Sequence, residues 1–184
     1  MADLDERLHA RLAPIGEWQA TTMRRAAVLM PLLAMGGVDG VLLVVRPDSA
    51  RQHAGQIAFP GGMRDGDETI AATAARECRE ETGVAPTALL GSLPPRASSS
   101  GILVHAVVGR LPADAALRPC PREVVRTLWT PLAEALDDAR WRELPPPAGA
   151  MGAQPATSPH FRHGDDLIWG LTGRFLRDLA AALR

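Results

Sequence analysis

Residues 69–82 constrain the fold more than any other part of the sequence, because the segment contains neither glycine nor proline. Asp67 or Glu68 can cap the start of a helix here, and Gly83 can end it. Apolar segments rich in valine and leucine precede and follow this helix, and such segments predict strands. The alternation predicts an α/β fold in which a mixed β-sheet is sandwiched between α-helices.

Hydrophobic spacing predicts the remaining elements. Leucines at helical spacing predict that the first dozen residues form a short amphipathic helix that covers the sheet and ends near Pro14. Strands are predicted at 25–34, 40–45, 57–59, 87–93, 102–111 and 123–129. We expect a short helix at 131–138, a loop at 144–159 and a closing amphipathic helix at 167–183. The 184 residues correspond to about one domain, so we predict a single domain over 1–184.

The charge balance excludes several classes of function. The 20 basic and 21 acidic residues give a formal charge of -1, so no overall field attracts nucleic acid or an anionic membrane. The sequence contains no lysine and no tyrosine, which excludes a Schiff-base lysine, a phosphate-loop lysine and a tyrosine nucleophile. Arginine therefore has to bind any phosphate.

The cysteines and the N-terminal region indicate a reducing compartment. Cys78 and Cys120 lack metal-binding spacing and are too few for a disulfide framework. The first residues are acidic, unlike a signal peptide, and the longest apolar run is broken by Pro31 and is shorter than the ~20 residues of a membrane helix. We expect a cytoplasmic protein with neither a membrane nor a nucleic acid as partner.

Three carboxylates share one face of the predicted helix. Glu77, Glu80 and Glu81 lie at i, i+3 and i+4, and like charges four residues apart cost roughly 0.2–0.5 kcal/mol. A hard divalent cation such as Mg²⁺, which prefers oxygen ligands, would offset that repulsion. The alternative is a solvated face on which Arg76 and Arg79 balance part of the charge.

The surrounding residues form a longer motif. Gly62 is followed after five residues by Glu68, and after seven more by Arg76-Glu77-Cys78-Arg79-Glu80-Glu81-Thr82-Gly83-Val84. This segment resembles the signature box of the Nudix hydrolases in every fixed position. Cys78 stands where the family usually has an aliphatic residue, and a buried cysteine behaves as a small hydrophobe. The resemblance implies a Nudix fold whose loop–helix–loop motif binds Mg²⁺ or Mn²⁺ and hydrolyses a diphosphate linked to another group.

The resemblance also implies roles for residues in the box. Glu80 and Glu81 would be metal ligands, and Glu77 would be a third ligand or the general base, oriented by Arg76. Metal ions neutralise phosphate charge, position the phosphates and acidify a bound water.

The loop before the helix and a segment after the box contribute further candidates. The loop from Gly62 to Glu68 would place a backbone carbonyl near the metal, and Glu68 would brace that loop. Glu123 opens a stretch that looks like the family's strand after a loop, where a glutamate often points at the metal site. We interpret Glu123 as a candidate base outside the box, with a solvated carboxylate at the strand edge as the alternative.

A second motif precedes the box. Arg51, three residues, Gly55, three residues and then Phe59-Pro60-Gly61-Gly62 are similar to the upstream motif of the coenzyme A pyrophosphatase branch of this family. An arginine can bind phosphate bidentately, a glycine lets the backbone approach a ligand, and a phenylalanine can wall a pocket. The resemblance implies substrate-binding roles for Arg51, Gly55, Phe59 and Gly61.

The earlier half of that motif is only partly present. Leu42 and Leu43 match it, whereas residues 44–47 depart from it, so substrate choice stays open. Arg46 is a candidate for another phosphate contact. Two histidines near the C terminus, His160 and His163, are interpreted as residues of a polar loop and are assigned no role.

The expected reaction is metal-dependent hydrolysis of coenzyme A or acyl-coenzyme A to 3′,5′-ADP and 4′-phosphopantetheine or its acyl derivative. One alternative is a Nudix enzyme acting on ADP-ribose, dinucleotides or nucleoside triphosphates. Another is a non-catalytic ligand sensor, although three retained carboxylates argue against it. The partner would be a small nucleoside diphosphate substrate of the coenzyme A class, and a homodimer is possible.

Overall fold

The computed structural model describes residues 2–47, 55–150 and 152–184. These residues form two β-sheets and four α-helices, joined by turns and loops. The helices are α1 (Ala2–Arg11), α2 (Ile70–Thr82), α3 (Leu132–Leu136) and α4 (Gly170–Ala182), with a 3₁₀ turn at Asp138–Arg140. The strands are β1 (Arg24–Met35), β2 (Val38–Val45), β3 (Ile57–Ala58), β4 (Gly61–Met63), β5 (Ala88–Ala97), β6 (Ile102–Arg110), β7 (Arg126–Pro131), β8 (Trp141–Leu144), β9 (Ser158–His163) and β10 (Asp166–Ile168).

The larger sheet is mixed, as predicted. It has seven strands in the order β3–β2–β1–β6–β5, with β4 also paired to β1 and β7 also paired to β2. Strands β1 and β6 are parallel, and the other pairs are antiparallel. Central β1 is apolar almost throughout, because helices cover both of its faces.

Two hydrophobic clusters show how the helices cover the sheet. On one face, Ala74 and Cys78 of α2 pack beneath the sheet with Leu29 of β1. On the other face, Leu8 of α1 and Phe175 of α4 belong to the larger cluster, together with residues of α3. The predicted layering of a mixed sheet between helices is therefore confirmed. No helix in the described residues is long and apolar enough to span a membrane.

Helix α2 forms where the sequence predicts it, but its cap is different. The Thr69 hydroxyl accepts the backbone N–H of Ala72 at 3.1 Å, so the prediction of Asp67 or Glu68 as the cap is wrong. The Glu68 carboxylate instead turns toward Arg76. Gly83 ends the helix at a φ of 78°, a left-handed conformation that glycine adopts without strain.

Several predicted boundaries are wrong, and long-range pairing explains them. Strand β4 lies in a predicted loop, because Gly62 pairs with Ala27 of β1. The predicted loop over 144–159 begins and ends in strands β8 and β9, which form a separate three-stranded sheet with β10. β10 occupies the predicted start of the closing helix, so α4 begins at Gly170. The strand predicted from Glu123 begins at Arg126.

The smaller sheet has no strong local signature. β9 contains a proline and two histidines, a composition that predicts a loop. The structure holds it as the central strand, where Phe161 stacks on Trp141 of β8 with ring centroids 5.2 Å apart. His160 and His163 therefore lie in a strand, and the prediction that they lie in a loop is wrong.

Candidate active site

A cavity of about 1040 Å³ lies between α2, the β3–β4 segment and α4. Its acidic wall consists of Glu77, Glu81 and Glu123. Its C-terminal wall is formed by residues 95–100 of the β5–β6 hairpin, residues 153–155 and residues 169–172, 174 and 175 around the start of α4. Residues 56–59 and 61–63 connect the two walls. The described residues therefore place carboxylates, arginines and apolar side chains around one volume that a small molecule can enter.

Glu81 is the most buried carboxylate of the acidic wall, with 1% of its surface exposed. The backbone N–H of Gly61 donates to its Oε2 at 3.1 Å, and Arg46 Nη2 donates to its Oε1 at 3.3 Å. Burial outweighs these two contacts and raises the pKa of Glu81 to about 7. Burial therefore disfavours the ionised form of Glu81 even though Arg46 lies beside it.

Glu77 lies one helical turn before Glu81, so both side chains face the cavity. Arg76 Nη1 donates to Glu77 Oε1 at 2.8 Å. Burial raises the pKa of Glu77, and the charges of Glu80 and Glu123 act in the same direction. A Cβ atom at Gly62 would lie 2.3 Å from Glu77 Oε1, so a glycine is required for the carboxylate to approach the loop backbone this closely.

Arg76 connects the helix to the loop that precedes it. Its Nε donates to Glu68 Oε1 at 2.7 Å, and its Nη2 donates to the carbonyl of Met63 at 3.1 Å. Glu68 also accepts the backbone N–H of Asp65, and these contacts, chiefly the bond from Arg76, lower its pKa to about 2. The orientation of Glu77 by Arg76 and the bracing of the loop by Glu68 are thus present as contacts, while the catalytic roles of both residues stay predictions.

The positions of Glu80 and Glu123 relative to the cavity differ from what the sequence motif suggests. Glu80 pairs with Arg76 at 3.0 Å, is about half exposed and does not line the cavity. Glu123 lies in the turn before β7 and does line the cavity, and its charge raises the pKa of both Glu77 and Glu81. The cavity therefore brings Glu123 together with Glu77 and Glu81, and leaves Glu80 on the flank of the helix.

The donor set of the acidic wall fits a hard divalent cation. Carboxylate oxygens are the ligands that Mg²⁺ and Mn²⁺ prefer. Within the described ranges, no three acidic, histidine or cysteine side chains are gathered closely enough to hold an ion as they stand. Arg76 and Arg46 instead balance the charge of Glu77 and Glu81. Binding an ion would exchange arginine contacts for a stronger counter-charge.

The upstream motif reaches the cavity through its second half. Phe59 and Gly61 line it, and Phe59 is 2% exposed, as a residue in a pocket wall would be. Arg46 also lines the cavity and donates to the carbonyl of Gly61 at 3.2 Å. Gly55 adopts a φ of 66°, which suits glycine. Arg51 lies outside the described residues.

Sequence reasoning missed the part of the C-terminal wall around the start of α4, which includes Trp169, Thr172 and Arg174. The hydrophobic periodicity of α4 indicates only which face packs on the sheet, and does not indicate what its first turn adjoins. Reasoning from the sequence also missed Trp18, whose indole N–H donates to the carbonyl of Glu68 at 2.6 Å. No local sequence pattern indicates this role of Trp18, because its hydrogen bond joins residues that are 50 positions apart.

Comparisons with known proteins identify similar sequences and folds. Residues 23–148 match the NUDIX domain family. The chain is 36% identical over 183 residues to the uncharacterized Nudix hydrolase NudL of Photorhabdus laumondii, covering 98% of this chain and 96% of that protein. It is 37% identical over 164 residues to NudL of Yersinia pestis, covering 88% and 80% of the two chains.

Solved structures share the fold at lower identity. A MutT/nudix family protein from Enterococcus faecalis superposes with a TM-score of 0.54 at 15% identity, covering 92% of this chain and 57% of that one. The NUDIX domain of Shewanella oneidensis NrtR, complexed with ADP ribose, gives a TM-score of 0.51 at 24% identity, covering 64% and 78%. These two matches support the fold alone. The family match and the relatives that align along nearly the whole chain show that this protein belongs to the Nudix hydrolase family.

Proposed function

We propose that this protein hydrolyses the diphosphate of coenzyme A or acyl-coenzyme A, using Mg²⁺ or Mn²⁺. The products are 3′,5′-ADP and 4′-phosphopantetheine or its acyl derivative. The observation that carries the proposal is that the second half of the upstream motif, through Phe59 and Gly61, lines the same cavity as Glu77, Glu81 and Glu123. Residues that resemble a substrate motif and residues that suit metal-assisted hydrolysis thus face one volume.

The acidic wall suits this chemistry. A diphosphate resists hydrolysis because its anionic oxygens repel a nucleophile, and a bound divalent ion would neutralise that charge and acidify a water. Glu81 would hold the ion, with Glu77 as a further ligand or as the general base, assisted by a backbone carbonyl of the loop that begins at Gly62. Arg76 keeps the Glu77 carboxylate against that loop, so its orientation does not depend on substrate.

Arg46, which contacts Glu81 at the acidic wall, would also contact the substrate. Arg46 lies between Glu81 and the carbonyl of Gly61, at 3.3 and 3.2 Å. If an ion takes over the charge of Glu81, the Arg46 guanidinium is available to bind a phosphate oxygen of the substrate. The proton of the attacking water would go to Glu123, or to Glu77 where Glu77 is not a ligand of the ion, since both carboxylates line the cavity.

Hydrolysis of a substrate panel tests the proposal. Coenzyme A, acetyl-coenzyme A, ADP-ribose and a dinucleoside polyphosphate are incubated with Mg²⁺ and with Mn²⁺, and the products are identified by mass spectrometry. The expected result is preferential release of 3′,5′-ADP from the coenzyme A substrates. Intact coenzyme A beside a cleaved competitor would contradict the assignment of substrate.

The departure of residues 44–47 from the upstream motif motivates the alternative of ADP-ribose, a dinucleotide or a nucleoside triphosphate as substrate. The panel compares these substrates directly through kcat/KM. A non-catalytic sensor would bind a member of the panel without turning it over. Metal-dependent turnover that is lost in Glu81→Gln, with the fold retained, excludes the sensor.

A further inference from the structure

The C-terminal wall of the cavity is built largely from residues beyond the NUDIX family match. That match ends at residue 148, whereas residues 153–155, 169–172, 174 and 175 all line the cavity. The volume of about 1040 Å³ slightly exceeds the ~300–1,000 Å³ of typical ligand pockets. The cavity therefore has room for much more of a substrate than the diphosphate that is cleaved.

Three arginines line the described part of this cavity, and two of them are already paired. Arg46 contacts Glu81. Arg96 donates to both carboxylate oxygens of Asp178, from Nε and from Nη2, at 2.6 Å each. Arg174 has no carboxylate partner among the described residues, and its Nη2 donates to the carbonyl of Thr157 at 2.9 Å. Of the three arginines, Arg174 is therefore the one whose positive charge no carboxylate of the described residues balances.

The position of Arg174 is fixed by its helix. The hydroxyl of Thr172, two residues earlier, donates to the carbonyl of Ile57 at 3.1 Å in a buried contact between α4 and β3. Phe175, the next residue, is 1% exposed and anchors the helix in the core. These contacts hold the helix that carries Arg174 at the wall, and the exposed hydrogen bond to the carbonyl of Thr157 holds its guanidinium there. A phosphate that reached this guanidinium would receive a charge-assisted hydrogen bond.

We infer that Arg174 binds a second anionic group of the substrate, a phosphate monoester separate from the diphosphate that is hydrolysed. The inference rests on the proposed function and deepens it, because coenzyme A carries such a phosphate on the 3′-oxygen of its ribose. Dephospho-coenzyme A has the same diphosphate and lacks this group. Arg174 would then make the enzyme select among diphosphates by a feature remote from the bond that breaks.

The experiment compares kcat/KM for coenzyme A and dephospho-coenzyme A. We expect Arg174→Gln to lower the value for coenzyme A about tenfold more than the value for dephospho-coenzyme A, because a charge-assisted bond to phosphate is lost. The change should appear mainly in KM. Arg174→Lys, which keeps the charge, should retain part of the preference.

Arg177→Gln is the matched control. Arg177 lies on the same helix, pairs with Asp138 and does not line the cavity, so the ratio of the two kcat/KM values should equal that of the unaltered protein. An unchanged ratio in Arg174→Gln, or equal losses for both substrates, would overturn the inference.

A binding measurement separates failure of the inference from failure of the proposed function. If neither substrate is hydrolysed, the proposed function has failed, and titration calorimetry with 3′,5′-ADP and AMP then tests Arg174 alone. A loss of about tenfold in affinity for 3′,5′-ADP relative to AMP in Arg174→Gln supports the site. Equal affinities of the variant and the unaltered protein for both nucleotides overturn it.

Discussion

The two walls of the cavity are built in different ways. The acidic wall draws Glu77 and Glu81 from one helix, four residues apart, and fixes them with Arg76, Gly61 and the adjoining loop. The C-terminal wall combines the β5–β6 hairpin, residues 153–155 and the start of α4. Two of the three carboxylates of the first wall are therefore encoded in local spacing, whereas Glu123 and the whole second wall come together only once distant segments pack. This difference predicts that changes at the acidic wall act on kcat and that changes at the C-terminal wall act on KM.

The largest effect is expected at Glu81. Glu81→Gln should lower kcat/KM at least about 10³-fold, because a buried carboxylate of the proposed metal site is lost. Glu80→Gln should lower it only about tenfold, since Glu80 pairs with Arg76 outside the cavity. Steady-state kinetics at saturating Mg²⁺, with circular dichroism to verify the fold, measures both. Equal losses in the two variants would show that Glu80 turns into the cavity during catalysis.

The next largest loss of activity is expected at Gly62, which lets the Glu77 carboxylate approach the loop backbone. Gly62→Ala should lower kcat about 100-fold, because the new Cβ would lie 2.3 Å from Glu77 Oε1 and displace the carboxylate. Gly16→Ala is a matched control, because a Cβ there meets no atom within 4 Å. Its activity should stay within about twofold of the unaltered protein. Full activity in Gly62→Ala would mean that the position of Glu77 does not limit the reaction.

The raised pKa of Glu81 predicts a pH dependence of stability. The folded protein holds the Glu81 proton up to a pKa of about 7, above the 4.5 of a free glutamate, so unfolding releases it. The free energy of unfolding of the metal-free protein should therefore fall by about 3 kcal/mol as pH rises from about 4.5 to about 7. Glu68, with its pKa lowered to about 2, acts in the opposite direction and in a separate window below pH 4.5.

Urea denaturation in the presence of a chelator, at about pH 5 and about pH 8, measures this difference. Glu81→Gln should remove most of it, because no titrating group remains at that position. Excess Mg²⁺ should also reduce it, since an ion bound by the folded protein stabilises the ionised form. A metal-free protein that is as stable at the higher pH as at the lower would show that Glu81 is not held protonated.

The smallest effect is expected at the C-terminal wall. Asp178→Asn should weaken the pair with Arg96, which is 37% exposed, and lower the free energy of unfolding by about 1 kcal/mol or less. KM for the anionic substrate should fall severalfold with little change in kcat, because Asp178 no longer balances the charge of Arg96, which lines the cavity. Asp165→Asn, at an exposed position in the β9–β10 turn, is the control. A fall in kcat in Asp178→Asn would remove the distinction between the two walls.

Much of the fold could be predicted because the signals are local. The absence of glycine and proline over 69–82 and the glycine that follows predict α2, and the apolar runs predict β1 and β2. The smaller sheet could not be predicted, since β9 with Pro159 and His160 becomes a strand only between β8 and β10. The predicted cap of α2 was wrong because Glu68 and Thr69 are neighbouring candidates for the cap. Arg76 binds the Glu68 carboxylate, and the Thr69 hydroxyl caps the helix.

The sequence by itself determined the helix, the spacing of its carboxylates and the membership of a family, because these depend on residues within a few turns of one another. Only the tertiary structure decided that Glu123 joins Glu77 and Glu81 at the cavity, that Glu80 does not line it, and that Arg174 lines the same volume. Those placements depend on contacts between segments far apart in the chain. Hydrophobic burial selects these contacts, and local spacing does not encode them.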